Sequence, residues 1–265
     1  MSTTADAGKG AAGEGIRIPD VRVHLCTKSS ARGVSSAELF AGRRVVAFAL
    51  PGAFTPTCSS QHLPRYEELM PVLEQHVDAV LCIAPNDPYV VEEWARQQGV
   101  ERVQMVADGN CDFTRAMGFE IDHSAKGMGL RTRRYSMFVR DGMVEKLFME
   151  PDEPGDPYGV SDADTMLDYL APGSPRPPRI VVFSKPYCPH CARAKKALDA
   201  RGLRYHEVPL GDGVRGFVLG AIASATTAPQ VFIDGRLIGG EEELSRYLGD
   251  RDQQLTEASE SASPT

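Results

Sequence analysis

Hydrophobic positions along the chain fall in short runs, and these alternate with stretches of helical periodicity. Arg44-Val-Val-Ala-Phe-Ala-Leu50 is apolar at successive positions, so it predicts a strand buried on both faces. Residues 77–84 predict a second such strand. In 56–76, Leu63, Tyr66, Leu69, Met70 and Leu73 recur at near-helical spacing, with Pro64 as a candidate kink. An amphipathic helix is predicted over 87–99, opened by Asp87-Pro88 and stopped by Gly99. Tyr135–Val139 and Met143–Phe148 flank Asp141-Gly142, a pair that predicts a type I′ hairpin. A further helix is predicted over 161–170, with Ser161 as its N-cap.

Ala171-Pro-Gly-Ser-Pro-Arg-Pro-Pro-Arg179 then interrupts the pattern. Four prolines in nine residues exclude a helix or a central strand. Such a linker spans on the order of 28 Å at ~3.1 Å per residue. Beyond it the same grammar returns at smaller scale. Strands are predicted at 180–183 and 204–208, and helices at 189–201, 214–223 and 241–248. Gln230–Ile233 and Arg236–Ile238 form a hairpin across Asp234-Gly235. The predicted organisation is a disordered arm (1–15), a first domain (16–170), the linker (171–179), a second domain (180–249) and a disordered acidic, Ser-rich tail (250–265).

Composition narrows the class. Of 265 residues, 42% are apolar and 25% charged, as in soluble globular proteins, and the length suits two domains. The net charge of −7 argues against a nucleic-acid or anionic-membrane partner. No apolar run spans a bilayer, and the first residues lack the pattern of a signal or transit peptide, so a cytoplasmic setting is expected. In a reducing compartment the six cysteines, at 26, 58, 82, 111, 188 and 191, predict chemistry or plain burial rather than structural disulfides.

Pro51-Gly-Ala-Phe-Thr55-Pro-Thr-Cys58 leaves a buried strand and opens a helix. A cysteine in a first helical turn faces unpaired N–H groups and the positive end of the dipole, which favours thiolate. This stretch resembles the peroxiredoxin pattern Pro-x-x-x-Thr-x-x-Cys. Its continuation through His62-Leu63-Pro64, Asn86-Asp87-Pro88, Trp94 and Arg134-Tyr135-Ser136-Met137 is similar to the plant type II subgroup. The resemblance, over 16–170, implies that Cys58 is the peroxidatic nucleophile. It implies that Arg134 completes the pocket, with Arg133 on the opposite strand face. Thr55 would hydrogen-bond beside the sulfur, and Pro51 would hold the loop and shield the pocket. His62, four residues after Cys58, either lines the pocket mouth or is a surface or interface histidine. Cys26, Cys82 and Cys111 are expected to be packed cysteines. Some relatives carry a resolving cysteine near the domain's end, but residues 155–164 contain none. An unresolved sulfenic acid risks irreversible over-oxidation.

Ser184-Lys-Pro-Tyr-Cys188-Pro-His-Cys191 places a C-x-x-C at a strand-to-helix turn, which reads as a thioredoxin-like redox motif. His190 and His206 do not complete a zinc set, and no metal is assigned. An iron–sulfur cluster between two such domains ranks below thiol chemistry. Residues 179–248 resemble the glutaredoxins through Tyr187-Cys-Pro-His-Cys191, Thr227-Ala-Pro229 and Ile238-Gly-Gly240. The resemblance implies that Lys185 and Tyr187 contact glutathione, that Ala228 beside a cis Pro229 pairs with its cysteinyl part, and that Gly240 and Glu242 hold its γ-glutamyl end. Glu241 departs from the small hydroxyl residue more usual there.

Together the resemblances imply an α/β chain of two thioredoxin-like domains, each a central mixed sheet flanked by helices. They imply a glutathione-dependent peroxidase acting on hydrogen peroxide and organic hydroperoxides. Glutathione is its co-substrate, no cofactor is permanently bound, and the chain forms a homo-oligomer. Catalysis would fall to Cys58, Thr55, Arg134, Pro51, Cys188 and Cys191. Two other readings stay open: a redox sensor or holdase, and an oxidoreductase that deglutathionylates proteins.

Overall fold

The computed structural model describes residues 13–27, 30–153, 155–211 and 213–261. The chain divides into two compact units at Arg176/Pro177. In the first unit, the strands are β1 (Arg22–Cys26), β2 (Ala31–Ser35), β3 (Arg44–Ala49), β4 (Ala79–Ala84), β5 (Gln104–Ala107), β6 (Glu120–Asp122), β7 (Leu130–Thr132), β8 (Tyr135–Arg140) and β9 (Met143–Met149). Seven of them form one mixed sheet, ordered β2-β1-β5-β4-β3-β8-β9, with β3, β4 and β5 parallel. Its helices are α1 (Ser36–Phe40), α2 (Leu63–Leu73), α3 (Pro88–Gln97), α4 (Asp112–Met117) and α5 (Ala163–Leu170).

The continuous apolar run of β3 has the predicted consequence. Val46 and Phe48 point into one core with α2, α3 and α5, while Val45, Ala47 and Ala49 point into the core on the other face. Both Asp141 (φ 47°) and Gly142 (φ 73°) have positive φ, as a type I′ turn between β8 and β9 requires. The same holds for Asp234 (φ 50°) and Gly235 (φ 77°) in the second unit.

The second unit has strands β10 (Ile180–Ser184), β11 (His206–Pro209), β12 (Gln230–Ile233) and β13 (Arg236–Gly239), ordered β11-β10-β12-β13. Its helices are α6 (Pro189–Asp199), α7 (Phe217–Ala223) and α8 (Glu241–Ser261). Ile180, Val182, Ala194, Leu198, Val231, Ile233, Leu244 and Leu248 form its core. Each unit is thus a central mixed sheet flanked by helices, the α/β class expected. Among the described residues no helix is long and apolar enough to cross a membrane.

Four local expectations need correction. Pro64 does not kink a continuous helix. It follows a π turn, Cys58–His62, in which the Leu63 N–H donates to the Cys58 carbonyl. Proline cannot donate to the carbonyl four residues back, and its ring crowds it, which accounts for a widened turn just upstream. Ser161 is not the N-cap of α5. Asp162 is, its carboxylate accepting from the N–H groups of Asp164 and Thr165 at 2.9 and 3.0 Å. The Ser161 hydroxyl donates instead to Glu150.

Residues 13–15 of the N-terminal arm are held against the first unit, and residues 1–12 lie outside those described. Glu14 pairs with Lys146 at 2.9 Å, and the Gly15 N–H donates to the Val144 carbonyl. These contacts cover the free edge of β9. Finally, residues 250–261 of the expected disordered tail continue α8, while 262–265 lie outside the described residues. Gly249 sits inside the helix, no proline or glycine follows it before 261, and Arg201 binds Asp252 through Nε and Nη2 at 2.9 and 2.7 Å.

The Pro-rich segment is tied at both ends. Arg176 pairs with Asp164 and Asp168 of α5 at 2.9 and 2.6 Å. The Arg179 N–H donates to the Asp234 carboxylate at 2.9 Å, and the Asp234 N–H returns a bond to the Arg179 carbonyl. Only Pro177 and Pro178 lie between these anchors. The cap assignment has a measurable consequence. Asp162→Ala lowers the stability of the first unit by about 1 kcal/mol in chemical denaturation, and an unchanged midpoint contradicts it.

Candidate active sites

In the first unit, β3 ends at the Pro51 loop, and the loop is pinned before it reaches Cys58. The Ala53 N–H donates to Asn86 Oδ1 at 2.9 Å, and the Thr55 hydroxyl donates to the Gly52 carbonyl at 2.8 Å. The Thr55 hydroxyl proton is thereby directed away from the sulfur, leaving its oxygen as an acceptor. Cys58 follows in the π turn, fully buried. Trp94 of α3 fixes the same turn, its indole N–H donating to the Ser59 hydroxyl at 3.0 Å.

Arg134, immediately before β8, brings its guanidinium to the sulfur. Nη1 lies 3.5 Å from Cys58 Sγ and 3.2 Å from His62 Nδ1, and Nη2 donates to Asp156 at 2.5 Å. Burial works against the charge on Arg134. Charge on Cys58 and the Asp156 carboxylate outweigh it and hold Arg134 more firmly protonated than usual. Burial likewise opposes ionisation of Asp156, but bonds from Thr57 and Arg134 bring its carboxyl below the ordinary range. Arg133 turns elsewhere and donates to the Glu150 carbonyl at 2.9 Å. Pro51 is buried and lines a small cleft with Arg134, Asp156 and Pro157.

His62 is neither a surface nor a mouth residue. It is completely buried, packed against Phe48, Tyr66 and Tyr158 with ring centroids 4.9, 5.6 and 5.1 Å away. Arginine can only donate, so Nδ1 is the acceptor and Nε2 carries the proton, donating to the Ser161 carbonyl at 3.2 Å. Burial, then the Arg134 charge, pushes the imidazole well below its usual titration range, so it stays neutral.

Ser161 is held in turn by Glu150. One carboxylate oxygen accepts from the N–H groups of Gly159, Val160 and Ser161 and from the Ser161 hydroxyl, at 2.7–2.9 Å. The other cysteines of this unit are buried thiols. Burial raises Cys82, which shares the core cluster with Cys58, well above its usual range, and raises Cys26 to about 12. Cys111 is raised by burial and donates to the Leu130 carbonyl at 3.5 Å.

In the second unit, Cys188 is the N-cap of α6. Its sulfur accepts from the Cys191 N–H at 3.1 Å and lies 3.6 Å from the Ala228 carbonyl, next to a cis Ala228–Pro229 peptide. Cys188 is partly exposed, whereas Cys191 is buried, and burial and the bond to Cys188 push the Cys191 thiol up to about 11. Such a pair divides into an accessible thiol and a retained one. Tyr187 (φ 56°) is fully exposed, and Lys185 and Glu242 are also exposed. The Gly240 N–H donates to Glu243 at 3.0 Å, half of a capping box at the start of α8.

Glu241, the departure noted in the sequence, is engaged by α6. Arg193 donates to its two oxygens at 2.5 and 2.7 Å, and His190 Nδ1 lies 2.7 Å away.

Comparison with known proteins gives a family for each unit. Residues 13–167 match the redoxin family and 180–238 the glutaredoxin family. The hybrid peroxiredoxin hyPrx5 of Haemophilus influenzae is 46% identical over 236 residues, covering 89% of this chain and 98% of that protein. The chain belongs to the redoxin family, in its hybrid peroxiredoxin–glutaredoxin form. A cyanobacterial peroxiredoxin, sll1621 of Synechocystis, is 49% identical over 55% of this chain and 82% of its own. The crystal structure of reduced Prx3 from Vibrio vulnificus in complex with hydrogen peroxide superposes with a TM-score of 0.56. It is 39% identical and covers 59% of this chain and 98% of its own.

Of the residues singled out in the sequence, the structure brings Arg134 to Cys58 and Cys191 to Cys188; Asp156, Tyr158, Glu150 and the burial of His62 were not among the expectations. Those residues lie in or against a loop without periodicity, where no spacing marks them. Neutral His62 sets a pH dependence. Its folded form refuses a proton that the unfolded chain accepts below about pH 6.5, so its contribution is complete above that value and is lost as pH falls below it. Between pH 6.5 and 5 the first unit loses stability at up to ~1.4 kcal/mol per unit. A His62→Gln variant shows a flatter slope in urea unfolding across that range, and parallel slopes contradict this.

Proposed function

We propose that the chain is a glutathione-dependent peroxidase in which the second unit regenerates the Cys58 thiol. The observation that carries the reading is the Arg134 guanidinium against the buried Cys58 sulfur. A charge-assisted donor at that distance stabilises negative charge on sulfur and on the oxygen that departs. Arg134 Nε is buried without a hydrogen-bond partner, leaving one N–H for the substrate oxygen. The complex of a 39% identical relative with hydrogen peroxide supports that substrate class.

Cys58 thiolate attacks one peroxide oxygen and the O–O bond breaks. The other oxygen leaves as alkoxide or hydroxide and takes a proton, and sulfur, oxidised by two electrons, is left as sulfenic acid. Thr55 and Pro51 shape the loop at this centre. Glutathione then condenses with the sulfenic acid, forming an S–S bond and releasing water. Cys58 is fully buried, so a tripeptide reaches it only when the π turn leaves its seat.

Cys188 thiolate next attacks the glutathione sulfur, and Cys58 departs as thiolate. A second glutathione takes the glutathione from Cys188 as oxidised glutathione. Alternatively, Cys191 displaces it and the Cys188–Cys191 disulfide is reduced by two glutathiones. In this reading Lys185, Tyr187, Ala228, Pro229, Gly240 and Glu242 border the bound tripeptide. Tethering raises the effective concentration of Cys188 to roughly millimolar. The thiol cycle fits a reducing, cytoplasmic compartment.

Peroxide consumption coupled to glutathione, glutathione reductase and NADPH tests the scheme. Wild type turns over, Cys58→Ser is inactive, and Cys188→Ser is slowed about tenfold or more. Equal rates for Cys188→Ser and wild type contradict the relay. Arg134→Gln lowers the rate with peroxide by about 10²–10³.

A further inference from the structure

The start of α8 and the first turns of α6 are joined by a charged cluster that the cycle above does not use. Glu241 follows Gly240, which borders the bound tripeptide in the proposed reading. His190 and Arg193 follow Cys188 on α6. Arg193 places Nε and Nη2 on the two Glu241 oxygens at 2.5 and 2.7 Å, and Arg193 Nη2 also lies 2.9 Å from His190 Nδ1. Arg193 lies near enough to Cys188 to be held more firmly protonated by charge there, after its bond to Glu241. The cluster thus joins the helix that carries the accessible thiol to the residue that follows the glycine turn.

The bidentate pair commits the Nε–Nη2 edge of Arg193, its carboxylate-matching fork, to an internal carboxylate. Arg193 holds the Glu241 carboxyl down at about 2, so this occupancy persists throughout the neutral range. A glutathione adduct on Cys188 carries a second carboxylate of the same kind, the α-carboxylate of its γ-glutamyl end. That group finds the fork edge of Arg193 already taken and a negative charge at position 241.

We infer that Glu241 is a specificity-determining residue of the second unit. It occupies Arg193 in place of the γ-glutamyl carboxylate, weakening the hold on glutathione so that the tripeptide is released between cycles. The inference rests on the proposed glutathione chemistry at Cys188 and adds a residue outside that reaction. It predicts opposite effects from the two members of the pair. Removing the Glu241 charge frees Arg193 for the ligand, and removing Arg193 leaves the Glu241 charge unopposed.

The test uses the full chain with two small mixed disulfides, one of 2-mercaptoethanol with glutathione and one of 2-mercaptoethanol with cysteinylglycine, which lacks the γ-glutamyl end. For each protein the ratio of kcat/KM between the two substrates is taken, so that damage common to both cancels. Glu241→Gln raises the ratio about two- to fivefold, the range of an exposed ion pair, through a lower KM for the glutathione disulfide. Arg193→Gln lowers the ratio by a similar factor. Ratios equal to wild type in both variants overturn the inference and reduce the cluster to a clamp between helices. A wild-type chain that reduces neither disulfide removes the glutathione reading itself, and the inference with it.

Discussion

A buried guanidinium organises the first unit. Arg134 is almost wholly removed from solvent, and an unpaired cation there is prohibitively costly. The surrounding chain supplies its partners from separate elements: sulfur and imidazole from the π turn, and a carboxylate from the loop after β9. The imidazole must be neutral with its acceptor nitrogen facing Arg134, and that requires the Ser161 carbonyl behind it. The carbonyl is fixed because Glu150 gathers three successive N–H groups of the same loop. From sulfur to Glu150 the site is one hydrogen-bonded assembly built on one cation.

This arrangement explains which parts of the molecule the sequence revealed. Continuous apolar runs became the two-faced strands, and Asp-Gly pairs became type I′ turns, because each depends on local sterics or burial. Cys58 and Cys188 were legible because a cysteine at a strand-to-helix turn is a local pattern. Asp156 and Glu150 were not, since their meaning depends on a long-range meeting with Arg134 and with the 159–161 backbone. The π turn was half visible, as Pro64, but a proline signal alone does not distinguish a kink from a widened turn. The continuation of α8 was hidden because an acidic, Ser-containing sequence gives no apolar stripe, while the Arg201–Asp252 pair is visible only in three dimensions.

The two units solve complementary problems. A buried sulfur beside a cation suits a small neutral oxidant, while a larger thiol reaches it only once the π turn leaves its seat. The second unit presents Cys188 partly exposed at a helix start and keeps Cys191 buried beneath it. The connecting segment is held to the first unit through Arg176 and to the second through Arg179, with Pro177 and Pro178 between these anchors. The first unit offers no cysteine in its 155–164 stretch, and in the proposed cycle Cys188 takes that part.

The central claim is that oxidised Cys58 passes through a glutathione adduct that Cys188 removes. Intact-protein and peptide mass spectrometry of Cys188→Ser, treated with one equivalent of peroxide and then glutathione, tests it directly. The account predicts that a single glutathione accumulates on Cys58 in this variant and clears rapidly in wild type. An adduct that clears equally fast in both proteins, or a disulfide between Cys58 and another cysteine of the chain in its place, would contradict it.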